Sequence, residues 1–246
     1  MFEVLFAGTG DAFGSGGRFN TCFCVTSPTR RFLIDCGASS MIALKRQKLD
    51  PNTIDTVFIT HFHADHFGGM PFFVLDAQFF SKRTAPLTVV GPPGLASAYE
   101  RVMETAFPGS TKTQPKFDLA LVEIEPGLSA FGDVTVQAAR VIHSPNQKGP
   151  CYAYRFTHRG RVIAYTGDTE WTDALVAIAQ SADLFIAEAY FYDKNVRLHL
   201  TLAVLEKHLP RIQPKRLVLT HMSDDMLTRL PDLPYEAAYD GYQVSL

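Results

Sequence analysis

Cysteine is scarce: Cys22, Cys24, Cys36 and Cys151 are the only four in 246 residues. Four thiols in a chain of this length do not make a disulfide scaffold. They read as small buried hydrophobes in a reducing cytosol, so a cytoplasmic location is expected. Cys22 and Cys24 alternate within CFCVT and should face the same way. Without a second pair, such a Cys-x-Cys carries little weight as a metal site. Neither sign of charge dominates, with 23 Lys and Arg against 25 Asp and Glu, a net charge of −2 and a pI of about 6.4. No overall positive field exists to draw in nucleic acid. The most apolar helical stretch, residues 67–80, is interrupted by Asp76 and is too short to span a bilayer. The opening MFEVLFAGTGDAFG lacks a basic lead and is broken by Glu3, so no secretory signal is read there. There is no low-complexity segment, short-period repeat or linker-like tract.

What is present is a globular composition, 46% hydrophobic and 12% aromatic. One domain over residues 1–246 is expected. Apolar, β-branched runs suggest strands at 2–7, 22–26, 31–35, 55–60, 86–90, 119–124, 134–142, 151–157, 161–166, 184–187 and 216–220. Helical patterns cover 38–48, 67–80, 96–106, 172–180 and 201–208. Asp240-Gly241 signals a turn between a last pair of strands. The order is β-rich and then α, twice over, and two βα units close the chain. Two mixed sheets with helices on their outer faces bury such a pattern, an α/β fold in four αββα layers.

Ligand-type side chains stand just past the strand runs or at a helix start. THFHADHFGG places His61, His63, Asp65 and His66 in one loop. His143 ends VQAARVIH, Asp168 follows AYTG, His221 ends RLVLTH, and His199 precedes a helix. In an extended backbone His61 and His63 point to the same side and can clamp one cation. Asp65 and His66 follow as the chain turns, and point to a second position. Imidazole and carboxylate suit Zn²⁺. Four ligands cannot close two coordination shells, so His143, Asp168 and His221 are needed, with Asp168 bridging. That count leaves a position open for water at each metal, as in catalytic sites. Two cations about 3.5–4 Å apart acidify a bridging water from a pKa of 15.7 to roughly 7, giving hydroxide as the nucleophile. His158, in the turn HRGR, and His208, at a helix end, are better explained locally.

These residues resemble the metallo-β-lactamase fold, and more closely its ribonuclease Z and phosphodiesterase-like branch. GTGDAFG, FLIDCG, HFGGMPFFVLDAQF, PLTVVGPPG, IAEAYF, HLT, LTHMS and AAYDGYQVSL carry the likeness over nearly the whole chain. The resemblance implies His61, His63, His143 and Asp168 on one metal, and Asp65, His66, Asp168 and His221 on the other. It also implies that His199 is not a ligand but protonates the leaving oxygen, that Asp65 orients the attacking water, and that Glu188 holds His199. The tRNA-processing members carry a long basic arm between the strand-end histidine and the bridging aspartate. Here the short interval from His143 to Asp168 leaves room only for a hairpin.

The expectation is therefore a hydrolase with two divalent ions, Zn²⁺ first and Mn²⁺ or Fe²⁺ otherwise, cleaving a small phosphodiester. Nucleic acid and membrane are not expected partners; a homodimer is possible. The alternatives are a lactone, thioester or sulfate as substrate, tRNA 3′-end processing, or a non-enzymatic binding protein. GTGDAFGSGG lacks the P-loop lysine and the dinucleotide-binding spacing. It reads as a tight loop beside the metals, with Ser15 and Arg18 as candidate substrate contacts. FFVLDAQFF reads as core packing, with a pocket wall or dimer face as the other reading.

Overall fold

The computed structural model describes residues 2–146 and 149–246. The first half runs β1 (Glu3–Gly8), β2 (Cys22–Thr26), β3 (Arg31–Ile34), α1 (Ser40–Arg46), β4 (Thr56–Phe58), α2 (Ala64–Phe67), α3 (Met70–Phe79), β5 (Leu87–Gly91), α4 (Leu95–Ala106) and β6 (Leu119–Glu123). The second runs β7 (Gly127–Phe131), β8 (Val134–Val141), β9 (Cys151–His158), β10 (Arg161–Tyr165), α5 (Ala174–Ala179), β11 (Leu184–Glu188), α6 (Leu202–Ile212), β12 (Leu217–Thr220), α7 (Asp224–Arg229), β13 (Glu236–Ala237) and β14 (Tyr242–Ser245). They form two seven-stranded mixed sheets, ordered β14-β1-β2-β3-β4-β5-β6 and β13-β12-β11-β10-β9-β8-β7.

The strands read as continuous apolar runs because both of their faces are covered. In β2, Phe23 and Val25 enter the core between the sheets, while Cys22 and Cys24 enter the core beneath the first sheet's helices. In β11, Leu184 and Ile186 face the inner core, and Phe185 and Ala187 face the second sheet's helices. The three cores thus lie between four layers, helix, sheet, sheet and helix, as the strand and helix pattern predicts. Phe32, Phe58, Phe131 and Phe156 pack edge-on or tilted across the inner core, with centroids 5.1–5.3 Å apart. All four cysteines are buried and unpaired. Among the described residues, no helix is long and apolar enough to cross a membrane.

Three expectations change. The helix expected over 67–80 is split, because the Gly69 N–H donates to the Cys36 carbonyl at 2.8 Å rather than to the preceding turn; a Cβ there would lie 2.2 Å from the Gly37 carbonyl oxygen. Strand β7 was not expected. The last two strands do not pair with each other: β14 joins β1 and β13 joins β12, in different sheets. The turn at Asp240 is held by long-range bonds instead. Its carboxylate accepts the Thr9 N–H at 3.0 Å and the Phe19 N–H at 2.9 Å, so the chain crosses between sheets there. On α3, Phe73 is core, but Phe72 and Phe79 are exposed, as is Phe80 just past its end.

Topology brings the ligand-bearing loops together. β8 and β10 are each antiparallel to β9, and β11 and β12 run parallel to β10. The C-terminal ends of β8, β10, β11 and β12 therefore share one edge. The end of β4 is pinned there: the Tyr154 hydroxyl donates to the Ile59 carbonyl and the Tyr152 N–H to that of Thr60, both at 2.9 Å.

Candidate metal centre

The loop after β4 is extended through His63 (φ −69°, ψ 152°), and α2 begins at Ala64. The change of backbone separates the donors into two groups, although the His61 and His66 rings stay 4.3 Å apart. One group of donor atoms comes from His61, His63 and His143, and a second from Asp65, His66, Asp168 and His221; within each, the atoms lie within 4.8 Å of one another. His143 Nε2 is 3.0 Å from His63 Nδ1, and His66 Nε2 is 3.3 Å from His221 Nε2. Asp168 stands between the groups. Its Oδ1 is 3.2 Å from His66 Nε2, and its Oδ2 is 3.4 Å from His221 Nε2 and 3.7 Å from His143 Nε2. All seven expected side chains are thus brought together.

The donor set fits metal ions. Two ligands on tetrahedral bonds of about 2.0 Å lie roughly 3.3 Å apart, close to the imidazole spacings seen here. Nitrogens that close repel unless a proton or a cation lies between them. Among the described residues His61 Nε2 is buried with no hydrogen-bond partner, while Asp168 Oδ1 and His221 Nδ1 have only His66 Nε2 at 3.2 Å and Glu188 Oε1 at 3.5 Å, without hydrogen-bond geometry. Such orphans are costly in a dry interior, and a bound cation is a direct remedy.

The electrostatics agree. Burial pulls the His61 and His63 imidazoles below their ordinary pKa, which favours the neutral, ligating form. Burial alone would raise Asp65 and Asp168, but neighbouring histidines outweigh it and hold both carboxyls low, well below the usual range for Asp168. Burial lowers His66 and His221, but Asp168 and the other nearby carboxylates outweigh it; His66 goes well above its ordinary value and His221 to about 10. The carboxylates favour positive charge here, which a bound cation would supply.

The groups behind the cluster fix its orientation. Asp35, fully buried at the end of β3, accepts from Thr60 N–H at 2.8 Å and lies 2.7 Å from His66 Nδ1. This contact aims His66 Nε2 into the cluster. His143 Nδ1 donates to the Leu198 carbonyl at 2.8 Å. Asp35, Leu198 and His221 all have positive φ, of 59°, 71° and 54°. Strained backbone at non-glycine residues is costly and gathers at functional sites. The sequence reading did not assign Asp35; a lone acid closing the apolar run RFLI was the available signal.

His199 lies at the mouth, partly exposed. Its ring is 4.9 Å from that of His143 and stacks parallel to His221 at 6.0 Å. Its Nδ1 bonds to Glu188 Oε1, while Glu188 Oε2 accepts the Thr169 and Leu200 N–H groups at 2.9 and 3.2 Å. Glu188 and His199 also come within ligand reach of Asp168 and His221. However, both Glu188 oxygens are already committed to N–H donors, which argues against a ligand role. Burial lowers the His199 pKa, but Glu188 outweighs it and the net shift is upward. Thr201 caps α6 by accepting the Val204 N–H at 3.2 Å, fixing where His199 leaves the helix start. His158 lies against Asp133 and His208 stacks on Trp171, both in local roles. The Ser15 hydroxyl donates to Asp11 at 2.8 Å and Arg18 to the Ala238 carbonyl at 2.5 Å, so these atoms hold the loop rather than face a substrate.

The chain is similar to known proteins over most of its length. Ribonuclease Z of Bacillus thuringiensis (strain Al Hakam) is 27% identical, covering 90% of this chain and 88% of its own. That alignment runs over 281 positions, more than the 246 residues here, so the relative carries insertions that this chain lacks. The short form of human tRNase Z is 26% identical with a TM-score of 0.79, covering 99% of this chain and 98% of that one. A diphosphatase of the PhnP family shares the fold at 19% identity and a TM-score of 0.79, covering 100% and 98%. The resemblance to the metallo-β-lactamase fold and its ribonuclease Z branch is thus confirmed. The family model described as Anti-Pycsar protein Apyc1 matches residues 2–232, nearly the whole chain, and the chain belongs to that family.

Proposed function

We propose that this chain is a metal-dependent hydrolase of small phosphodiesters, built as one metallo-β-lactamase-like domain over residues 1–246. His61, His63, His143 and Asp168 would hold one divalent ion, and Asp65, His66, Asp168 and His221 the other. Zinc suits these donors, with manganese or iron the other candidates. Bound there, the ions supply Lewis acidity, neutralising phosphoryl charge and acidifying water.

The observation that carries the reading is the Glu188–His199 pair at the mouth of the cluster. Glu188 holds Nδ1, so Nε2 is the atom left to face a substrate. As the P–O bond breaks, the departing alkoxide takes a proton from His199 Nε2, and Glu188 stabilises the imidazolium beforehand. Asp65 orients the attacking water. A thioester, whose thiolate leaves readily, has less need of such an acid. Pre-tRNA is the second reading, favoured by the ribonuclease Z relatives; the short His143–Asp168 interval and the net charge of −2 favour a small substrate. The buried free thiols fit a cytoplasmic setting. The exposed Phe79 and Phe80 offer a face for a second copy, and sedimentation velocity decides the homodimer.

Elemental analysis with turnover of bis(p-nitrophenyl) phosphate tests the reading. About two metals per chain are expected. His199→Ala should keep them and lose turnover of a dialkyl phosphodiester by roughly 10²-fold or more, with a smaller loss on the p-nitrophenyl ester, whose phenolate leaves without a proton. An unchanged rate on the dialkyl ester removes His199 from the mechanism. Turnover of lactones, thioesters or pre-tRNA in place of phosphodiesters transfers the site to those substrates.

A further inference from the structure

Tyr190 sits at the edge of the metal centre with its hydroxyl unused. The backbone fixes it firmly. Its N–H donates to the Leu200 carbonyl at 2.9 Å, and its carbonyl accepts from Ser223 N–H at 3.0 Å and Ser223 Oγ at 2.5 Å. The ring is thereby held between the segment carrying His199 and the segment carrying His221. Its centroid lies 4.6 Å from the His199 ring, tilted by 31°, and 5.9 Å from that of His221. Phe191 packs against it at 4.8 Å.

The hydroxyl is neither enclosed nor hydrogen-bonded among the described residues, and Tyr190 is only partly exposed. A phenol is a neutral O–H near pH 7. A donor at the edge of the cluster, bonded to no group of the chain among the described residues, suits an anionic acceptor brought in from outside.

We propose that the Tyr190 hydroxyl donates a hydrogen bond to a phosphoryl oxygen of the bound substrate, which makes Tyr190 a substrate-contacting residue beside His199. The proposal rests on the phosphodiester reading for its substrate, but the contact itself needs only a phosphoryl oxyanion.

The zinc-loaded wild type, Tyr190→Phe and Tyr190→Ala are compared by calorimetric titration with inorganic phosphate, by metal content, and by KM and kcat on bis(p-nitrophenyl) phosphate. Tyr190→Phe keeps the ring and its packing and loses only the donor. It should retain both metals, weaken phosphate binding about tenfold and raise KM by a similar factor, the worth of one hydrogen bond to an anion. Tyr190→Ala should lose kcat as well, because the face of His199 is no longer supported. Phosphate binding by Tyr190→Phe equal to that of the wild type overturns the proposal and leaves the ring a packing role. Zinc-loaded wild type that does not bind phosphate overturns it too. Tyr190-dependent phosphate binding without phosphodiester turnover upholds the contact and refutes the substrate reading instead.

Discussion

Asp35→Asn isolates how the fold prepares a ligand without touching the metals. In the native protein the Asp35 carboxylate accepts from His66 Nδ1–H at 2.7 Å and from the Thr60 N–H at 2.8 Å. The proton on Nδ1 leaves the Nε2 lone pair free to bind a cation. Asparagine has nearly the same shape but one oxygen and one NH₂. With its oxygen on Thr60, its NH₂ must face His66 Nδ1; that bond forms only if Nδ1 is unprotonated, which moves the proton onto Nε2 and blocks ligation. With the amide reversed, the NH₂ faces a buried N–H. Either way the His66 site weakens, by about 10–100-fold in affinity for an outer-shell partner of this kind. At a zinc concentration 100 times the native dissociation constant, one site stabilises the fold by about 2.7 kcal/mol. A 10–100-fold weaker site contributes about 1.4–0.4 kcal/mol at the same zinc. For a chain of this size, each kcal/mol is roughly 2–4 °C in Tm. The zinc-induced rise in Tm, measured by scanning calorimetry, should therefore be smaller in Asp35→Asn by about 3–9 °C, with near one metal per chain after dialysis. Two metals per chain and an undiminished rise would show that Asp35 does not set the His66 tautomer.

Two further outcomes concern the scaffold. Asp183, buried in the second sheet, accepts from Val162 N–H and Lys215 Nζ, both at 2.8 Å. Burial pushes its carboxyl up, but these bonds outweigh it and its pKa is lowered on folding. Its stabilisation is therefore present above the unfolded carboxyl value of about 3.9 and is lost as pH falls through the folded value. Asp183→Asn should lower the urea midpoint at pH 7, and the gap to wild type should close below about pH 4; a gap independent of pH contradicts the assignment. Arg83, 2% exposed, donates to the carbonyls of Ala85, Ile54 and Pro86 at 2.6–2.7 Å and lies 5.7 Å over the Phe117 ring. Arg83→Met should cost about 3 kcal/mol, because it leaves buried carbonyls unpaired. A variant as stable as the wild type in denaturant would remove this guanidinium from the account of how the loop before β5 is held.

Much of the fold is legible in the sequence where the information is local. The β-branched and aromatic runs locate the strands of both cores, since each strand packs on both faces. HFHADH shows its own chemistry because four donors in six positions have few other uses. What escapes is set by contacts far along the chain. Gly69 looks like any glycine after a short helix; its need for no side chain comes from the Gly37 carbonyl, 32 residues earlier. Asp240-Gly241 does mark a turn, but which sheets its flanks enter depends on Thr9 and Phe19. β7 opens on glycine and alternates weakly in GLSAF. Asp35 and Tyr190 sit in strand-end segments like many others, and only the assembled site gives them neighbours.

The two sheets also explain why the centre lies where it does. Strands β1, β2 and β3 are antiparallel, and β3 to β6 then run parallel; β8, β9 and β10 are antiparallel, and β10 to β13 then run parallel. The chain thus repeats one arrangement, but the halves contribute unequally. The first supplies His61, His63, Asp65 and His66 from a single loop after β4. The second supplies His143, Asp168 and His221 from the ends of three strands that run the same way. Neither half holds a complete donor set, and Asp168 reaches both groups only when the sheets are packed face to face. The inner aromatic core is what brings them together, and the bonds from Tyr152 and Tyr154 to the end of β4 set the register at that edge. Metal affinity and the packing between the sheets are therefore one thermodynamic quantity seen from two sides, since any cation that binds both groups binds the closed sandwich in preference to the open one.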